Sequence, residues 1–356
     1  MYREKIDRYI DAHQNEMLED IAALCRIERT KDSYRAGKPY GLRCAEVLGE
    51  ALHLGESYGF SINNYDNYVG TIDLNDKEKQ LDILAHLDVV PAGDGWTVTK
   101  PFEPFIKDGK IYGRGTADDK GPAVAALYAM RAVRELNIPL KKNVRLILGT
   151  DEECGSSDIE HYYSVEKEAP MTFSPDASFP VINIEKGHFH GQFSASFEKS
   201  EALPRMLSFE SGVKANVVPA KAWALFEGLE GDAVEALIGQ AEKDLGIHFT
   251  VSAEEGRLKI EAEGENGHAS TLIPHGDWLG KNLGIAQKDE LSGELTLAFS
   301  ILRITEEELS GEFDSRCPIC ANEENTLKPA KAAMEKEGFV FSTESMSAPH
   351  HVSEDS

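Results

Sequence analysis

One run of ten residues decides the fold of this chain, and it reads Leu81-Asp82-Ile83-Leu84-Ala85-His86-Leu87-Asp88-Val89-Val90. Its apolar and β-branched residues predict a buried strand, which Pro91 ends. His86 and Asp88 are two residues apart, so a strand would place both side chains on one face. A lone His-x-Asp pair is weak evidence of function, because buried polar side chains are usually hydrogen-bonded parts of a core.

The surrounding sequence repeats this pattern of apolar strands that end on acidic residues. A second apolar run, residues 144–150, leads into Glu152 and Glu153, and a third, residues 171–174, leads into Asp176. Helical segments alternate with these strands, which predicts an α/β domain with a mostly parallel sheet flanked by helices. Open sheets of this class build their sites just beyond the strand ends.

The acidic residues therefore point to one shared site at an edge of the sheet. The six carboxylates expected there belong to Asp88, Asp118, Asp119, Glu152, Glu153 and Asp176. They would repel one another unless cations neutralised them or several stayed protonated. Two divalent cations balance one bridging carboxylate, one further carboxylate per metal and a bridging hydroxide. Such a pair lowers the pKa of a shared water and polarises a carbonyl oxygen.

The remaining sequence predicts a second domain of α+β character. From about residue 188, short strand-like segments alternate with helical segments at 233–245 and 327–337. We predict a first domain at 1–187, which returns at about 346–356, and a second domain at 188–345. The length of 356 residues agrees with about two domains.

Composition excludes several classes of protein. The chain has 37 Lys and Arg against 62 Asp and Glu, a formal net charge of −25, which argues against nucleic acid and anionic membrane surfaces as partners. No apolar stretch is long enough for a membrane span, and the first residues lack the apolar core of a signal peptide. Five cysteines argue against a disulfide scaffold as the basis of the fold. We therefore expect a cytoplasmic protein, whose oligomeric state stays open.

Four ordered motifs resemble a known family. The chain is similar to the dinuclear zinc hydrolases of the carboxypeptidase G, desuccinylase and carnosinase superfamily, and within it to the PepV or Sapep type of bacterial dipeptidase. The residues that carry the resemblance are His86-Leu87-Asp88, residues 113–121 around Asp118-Asp119, residues 151–156 around Glu152-Glu153, and Ser174-Pro175-Asp176. Residues 93–96 and 174–180 carry the likeness to the PepV type.

The resemblance implies a role for each residue of the first domain. His86 would bind one metal, Asp118 would bridge both, Glu153 would bind the second, and Asp176 would complete the shell of the first. Glu152 would be the general base, and Asp88 would orient the imidazole of His86. The family also implies a cis peptide bond between Asp118 and Asp119. The cofactors would be two divalent metal ions, with Zn²⁺ expected and Mn²⁺ or Co²⁺ as alternatives.

The second domain resembles the ferredoxin-like lid of the same family. By that likeness His268 would stabilise the oxyanion, and Arg316 with Asn216 would hold the terminal carboxylate of a small peptide substrate. The function implied is hydrolysis of dipeptides by a metal-bridging hydroxide.

Two departures from the family pattern leave alternatives open. Family members continue beyond residue 356 and supply a second metal-binding histidine there, and their lid has a longer stretch after residue 270. The chain is therefore expected to be shortened at its C-terminus and internally deleted in the lid. The alternatives are an N-acyl amino-acid amidase or desuccinylase with the same metal core, and an inactive remnant that binds metal or peptide without turnover.

Overall fold

A computed structural model describes residues 2–28, 33–93, 96–245, 247–264, 279–343 and 345–354. The chain divides into two compact units, Met1–Pro180 and Val181–Ser356. The boundary that the sequence predicts lies seven residues further along, at 187/188. Within the described ranges, no helix is both long enough and apolar enough to cross a membrane.

The first unit alternates helices and strands. Its helices are α1 (Tyr2–Cys25), α2 (Leu42–Ser57), α3 (Lys120–Glu135) and α4 (Ser157–Val165). Its strands are β1 (Ser61–Tyr65), β2 (Val69–Asp73), β3 (Lys79–His86), β4 (Phe105–Lys107), β5 (Lys110–Tyr112), β6 (Asn143–Gly149) and β7 (Met171–Phe173). Residues Glu152–Cys154 form a short 3₁₀ helix after β6.

The sheet of the first unit is mixed, and its parallel part carries the polar strand ends. The strand order is β1-β2-β6-β3-β7, in which β3 runs parallel to both β6 and β7. The hairpin of β1 and β2 adds two antiparallel pairings, to each other and to β6. The prediction of an α/β domain is confirmed, and the parallel strands are those that the apolar runs indicated.

The helices of this unit bury an apolar stripe against the sheet, and α3 starts at a crowded point. Leu24, Leu48 and Leu127, from α1, α2 and α3, belong to one buried cluster with strand residues such as Leu146. At Gly121 a Cβ atom would lie 2.0 Å from the carbonyl oxygen of Thr116. Only glycine lets the chain pass from the Asp118-Asp119 segment into the helix without a clash.

The second unit is built on one antiparallel sheet. Its helices are α5 (Gly231–Leu245), a π-helical turn at Glu323–Leu327 and α6 (Lys328–Lys336). Its strands are β8 (Ile184–Glu185), β9 (Gly187–Ser196), β10 (Arg205–Ser211), β11 (Lys221–Glu227), β12 (Ile247–Glu254), β13 (Arg257–Gly264), β14 (Lys288–Asp289), β15 (Gly293–Glu294), β16 (Thr296–Ile304), β17 (Glu308–Cys317), β18 (Val340–Ser342) and β19 (His350–His351). The pairs β14–β15 and β8–β19 are separate two-stranded sheets.

The large sheet consists of two similar halves. Its order is β12-β13-β11-β10-β16-β17-β9-β18, so β10 and β16 meet at the centre through three residue pairs. On each side of this junction the first two strands form a hairpin, and a helix then leads to the outermost strand: α5 to β12 and α6 to β18. The α+β prediction is confirmed, with a sheet of eight strands.

Two glycines allow aromatic rings to fill the core of the second half. A Cβ atom on Gly191 would lie 2.3 Å from the Phe313 ring, and one on Gly311 would lie 2.4 Å from the Phe193 ring. Gly191 pairs with Phe313 and Gly311 pairs with Phe193 across β9 and β17. Each ring thus occupies the space that its opposite residue leaves empty, which brings β9 and β17 into a well-packed core.

Candidate active site

His86 is the centre of the site in the first unit. It is the last residue of β3, and its side chain is buried. Its backbone N–H donates to Asp119 Oδ2 at 3.0 Å. Its Nδ1 lies 3.0 Å from the backbone oxygen of Asp88 and 3.4 Å from Asp88 Oδ1. These contacts fix the ring and leave Nε2 as the atom that faces the other carboxylates.

Three carboxylates converge on the Nε2 atom of His86. Asp118 Oδ1 lies at 3.0 Å, Asp176 Oδ2 at 3.4 Å and Glu152 Oε2 at 3.9 Å. His86, Asp118 and Asp176 each offer a ligand atom within 4.8 Å of the other two. The structure thus brings together three residues that the sequence predicts as metal ligands, with the predicted base beside them.

Asp88 lies beyond the strand, which corrects the prediction that β3 extends to residue 90. The strand ends at His86, because the chain leaves the ladder after the backbone bond from Leu87 to Gly149. The buried Asp88 carboxylate accepts the backbone N–H groups of Glu152 and Glu153, both at 3.1 Å. Asp88 therefore anchors the 3₁₀ helix as well as contacting the imidazole of His86.

Glu153 lies outside the group of three. Burial together with the negative charge of Asp118 raises the pKa of the Glu153 carboxyl. Its place next to Asp118 is where a second cation would need a ligand. The role of Glu153 as a metal ligand stays a prediction.

The segment around Asp118 and Asp119 confirms one detail of the resemblance. The peptide bond between these residues is cis, as predicted. Asp119 is fully buried, and while Oδ2 accepts the N–H of His86, Oδ1 has no hydrogen-bond partner among the described residues. A buried carboxylate oxygen without a hydrogen-bond partner is stabilised by a nearby positive charge.

The electrostatics of the site follow from this crowding of acids. Burial by itself lowers the pKa of His86, but hydrogen bonds to Asp176 and Asp88 and the charges of Asp88 and Asp119 raise it to about 11. Burial raises the pKa of Asp119 to about 7, and burial with the charge of Asp176 raises the pKa of Glu152. The raised pKa therefore favours a protonated imidazole, and a divalent cation that bound His86 would have to displace that proton.

The donor set fits a divalent metal. One imidazole nitrogen and several carboxylate oxygens are ligands that Zn²⁺, Mn²⁺ and Co²⁺ all accept. The buried Asp119 oxygen and the three carboxylates around Nε2 supply the negative charge that a cation would balance. We conclude that the residues present can hold a metal, whose identity the donor set does not select.

Two buried polar residues, to which the sequence assigned no role, bind backbone groups near the site. Asp158, in α4, accepts the backbone N–H groups of Thr150 and of Asp151, which follow β6. A Cβ atom on Gly149 would lie 2.7 Å from Asp158 Oδ2, so a glycine is needed there. Lys120 is buried, and its Nζ donates to the carbonyls of Leu24 and Ile27 at 3.1 and 3.0 Å. A glycine at a strand exit was the available sign of the Asp158 contact.

The predicted substrate-binding residues belong to the second unit or fall outside the described residues. Arg316 is in β17, half-exposed, with its Nε 3.2 Å from Asp314 Oδ2. Asn216 is in the turn-rich segment that follows β10. His268 lies outside the described residues, as do residues 271–278 of the stretch that is predicted to be shortened.

Comparison with known proteins identifies the family. The sequence model of Peptidase family M20/M25/M40 matches residues 83–355. A Bacillus subtilis relative named "Putative dipeptidase YtjP" is 34% identical over 382 residues, which cover 96% of this chain and 81% of the relative. The Beta-Ala-Xaa dipeptidase of Lactobacillus delbrueckii is 31% identical, over 80% of this chain and 68% of that protein. The chain therefore belongs to peptidase family M20/M25/M40, whose members are hydrolases.

Solved structures agree with this assignment at the level of the fold. Human carnosine dipeptidase 1 matches 99% of this chain and 82% of its own length, with a TM-score of 0.59 and 19% identity. An M20 family metallo-carboxypeptidase from Sulfolobus solfataricus matches 96% of this chain and 80% of its own, with a TM-score of 0.57 and 16% identity. The alignment with the Bacillus relative spans 382 positions but holds only 96% of the 356 residues of this chain, so it contains gaps opposite residues of the relative.

Proposed function

We propose that this protein hydrolyses dipeptides, with Glu152 as the general base beside a two-metal site. The observation that carries the proposal is the convergence of Asp118, Asp176 and Glu152 on Nε2 of His86, within a chain of an established peptidase family. The names of the relatives from Bacillus and Lactobacillus support dipeptides as the substrate class.

We assign the metal ligands as the resemblance implies. His86 and Asp176 would hold one ion, Glu153 would hold the other, and Asp118 would be shared between them. Two bound divalent ions, Zn²⁺ or alternatively Mn²⁺ or Co²⁺, supply a water of lowered pKa and polarise the carbonyl oxygen of the scissile bond.

Glu152 then moves the proton. Its carboxylate, half-exposed on the 3₁₀ helix, takes a proton from the attacking water as the oxygen adds to the carbonyl carbon. It returns that proton to the amine nitrogen as the C–N bond breaks, which leaves a free carboxylate and a free amine. Burial and the charge of Asp176 raise the pKa of Glu152, which is the direction that helps a carboxylate to take up the proton that it later returns.

Asp88 positions the parts of the site in the first unit, and residues of the second unit would bind the substrate. Asp88 holds the backbone of Glu152 and the imidazole of His86 at the same time. In the second unit, Arg316 and Asn216 would bind the terminal carboxylate of the substrate, and His268 would stabilise the oxyanion. No specific observation favours the amidase or the inactive remnant, and location in the cytoplasm stays a prediction.

The test is the hydrolysis of a panel of free dipeptides by the metal-loaded protein and by Glu152→Gln. We expect the variant to lose about 10²- to 10⁴-fold in kcat, the usual contribution of a general base, with metal content unchanged. Glu50→Gln, on the exposed side of α2, is the matched control and should keep full activity. Equal activity in Glu152→Gln and the parent would refute the role of Glu152, and cleavage of acylated amino acids in place of dipeptides would favour the amidase.

A further inference from the structure

Two histidines and two acids lie together on one face of the large sheet. In β9, His188 and His190 alternate with the buried Phe189, so both side chains are on the face away from the aromatic core. In β17, which pairs with β9, Glu312 and Asp314 alternate with buried neighbours in the same way. We name the side chains of His188, His190, Glu312 and Asp314 the β9–β17 cluster.

Two members of the cluster are already at the spacing of ligands that share an ion. Nε2 of His190 lies 2.9 Å from Oε2 of Glu312. In the candidate active site the corresponding distance, from His86 Nε2 to Asp118 Oδ1, is 3.0 Å. Two ligand atoms that bind one zinc ion at tetrahedral geometry lie about 3.4 Å apart. A small movement of His190 and Glu312 therefore makes room for an ion between them.

Asp314 lies within reach of both imidazoles. It pairs directly with His190, which puts their Cβ atoms about 4.5–5.5 Å apart. Burial raises the pKa of Asp314, and the charges of Arg316, His188 and His190 act against that rise. The Asp314 side chain is only 13% exposed, and Nε of Arg316 lies 3.2 Å from its Oδ2. An outer contact of this kind commonly holds a carboxylate that binds a metal.

The charge and the access of the cluster also suit a cation. With neutral imidazoles, the carboxylates of Glu312 and Asp314 and the guanidinium of Arg316 leave one net negative charge. A groove of about 410 Å³ borders His188 and His190, so an ion can reach both rings from solvent. His188 is exposed, and its ring can turn toward the other three side chains.

We propose that the β9–β17 cluster binds a divalent transition-metal ion, Zn²⁺ or Cu²⁺, and shares no residue with the site around His86. Imidazole nitrogens and carboxylate oxygens are ligands that these ions accept. Four protein ligands fill a tetrahedral shell, which is the arrangement of ions that hold a structure together. The ion therefore ties β9 to β17, and this inference does not rest on the proposed function.

The experiment adds Cu²⁺ to the metal-free full chain and counts the imidazoles that bind each ion by pulsed EPR. Cu²⁺ is the probe because it binds nitrogen and oxygen sites more tightly than the other first-row divalent ions do. Among the described residues, the site around His86 offers a copper ion one imidazole, whereas the β9–β17 cluster offers two. We expect a two-imidazole signal in the parent, and we expect His188→Gln and His190→Gln each to remove it.

The second unit supplies matched controls. His248 Nδ1 lies 3.0 Å from Glu242 Oε1, an imidazole–carboxylate contact like that of His190, but on a different strand, β12. His350 and His351 are adjacent in β19, so their side chains point to opposite faces and do not share an ion. His248→Gln and His350→Gln should both keep the two-imidazole signal.

A further variant tests the acid side of the cluster. Glu312→Gln keeps both imidazoles and should keep the two-imidazole signal, but its calorimetric Kd for Cu²⁺ should rise about tenfold or more, since even the outer partners of metal ligands contribute that much. An unchanged Kd would overturn the assignment of Glu312 as a ligand.

The remaining outcomes decide the site as a whole. A parent that shows only one-imidazole copper overturns the proposal, as does a two-imidazole signal that survives in both His188→Gln and His190→Gln. Loss of that signal in His248→Gln or His350→Gln would place the two imidazoles elsewhere and overturn it as well. None of these readouts depends on hydrolysis, so the proposed function stands or fails separately.

Discussion

Replacing Asp82 by Asn should strongly destabilise the first unit, because Asp82 neutralises a buried arginine. Asp82 and Arg145 both have fully buried side chains. Asp82 Oδ1 accepts Arg145 Nε at 2.8 Å, and Oδ2 accepts Arg145 Nη2 at 2.6 Å and the backbone N–H of Ala169 at 2.9 Å. Asparagine has one acceptor oxygen, which can take the place of Oδ2 and keep two of these bonds, but its NH₂ group then faces Arg145 Nε and the negative charge is gone.

The size of the loss follows from these contacts. At least one of the three hydrogen bonds disappears, and the guanidinium stays buried without the negative charge that balances it. Breaking a buried ion pair in this way costs about 3–5 kcal/mol. Glu166, which lies 3.6 Å from Arg145 Nη1 and is 29% exposed, is too distant and too hydrated to take over.

The assay is hydrogen exchange of the amides in β3 and β6, since a chain of two units need not unfold in one step. The free energy of exchange should fall by about 3–5 kcal/mol in Asp82→Asn. Glu166→Gln is the control, and because its ion pairs are partly exposed we expect it to lose at most about 1 kcal/mol. If Asp82→Asn costs no more than Glu166→Gln, the dependence of Arg145 on Asp82 is refuted.

Three further predictions concern glycine, metal and acid. Gly121→Ala should lower the thermal midpoint, because the new Cβ would lie 2.0 Å from the carbonyl oxygen of Thr116. Gly49→Ala, in the open middle of α2, should instead raise the free energy of unfolding by about 1 kcal/mol. If the two substitutions changed stability equally, the steric explanation would be wrong. A chelator should lower the thermal midpoint of the metal-loaded parent, because removing ions that were present at 100 times Kd takes away about 2.7 kcal/mol of stabilisation. If the chelator lowers the midpoint of Asp176→Asn by the same amount, Asp176 is not a metal ligand. Backbone N–H bonds from Ser292 and Cys320 lower the pKa of Asp289 to about 2. Because the folded pKa is depressed, this stabilisation is present above about pH 4 and is lost toward pH 2, so the urea midpoints of Asp289→Asn and the parent should converge over that window; a constant difference would show that Asp289 does not titrate in this way.

The parts of the fold that the sequence predicts are those in which local pattern and burial agree. The apolar runs predict the buried strands β3 and β6, and Gly121-Pro122 marks the start of α3. His86 and Asp176 could be placed in one site because parallel strands end at a common edge, whereas Asp118 comes from the segment before α3 and was added to that site through the acidic clustering and the family resemblance. In the structure, the carboxylates of Asp118 and Asp176 lie beside Nε2 of His86, as that prediction requires.

The parts that could not be predicted depend on contacts between distant residues. Gly191 and Gly311 are ordinary turn formers in isolation, and only the paired rings of Phe313 and Phe193 explain them. The double contact of Asp88 with His86 and the 3₁₀ helix likewise needs two segments more than 60 residues apart.

The anchoring by Asp88 has a consequence for how this site can change over evolutionary time. One carboxylate braces both the ring of His86 and the helix that bears Glu152 and Glu153. Under the proposed function, a substitution at position 88 would therefore disturb cation binding and proton transfer together.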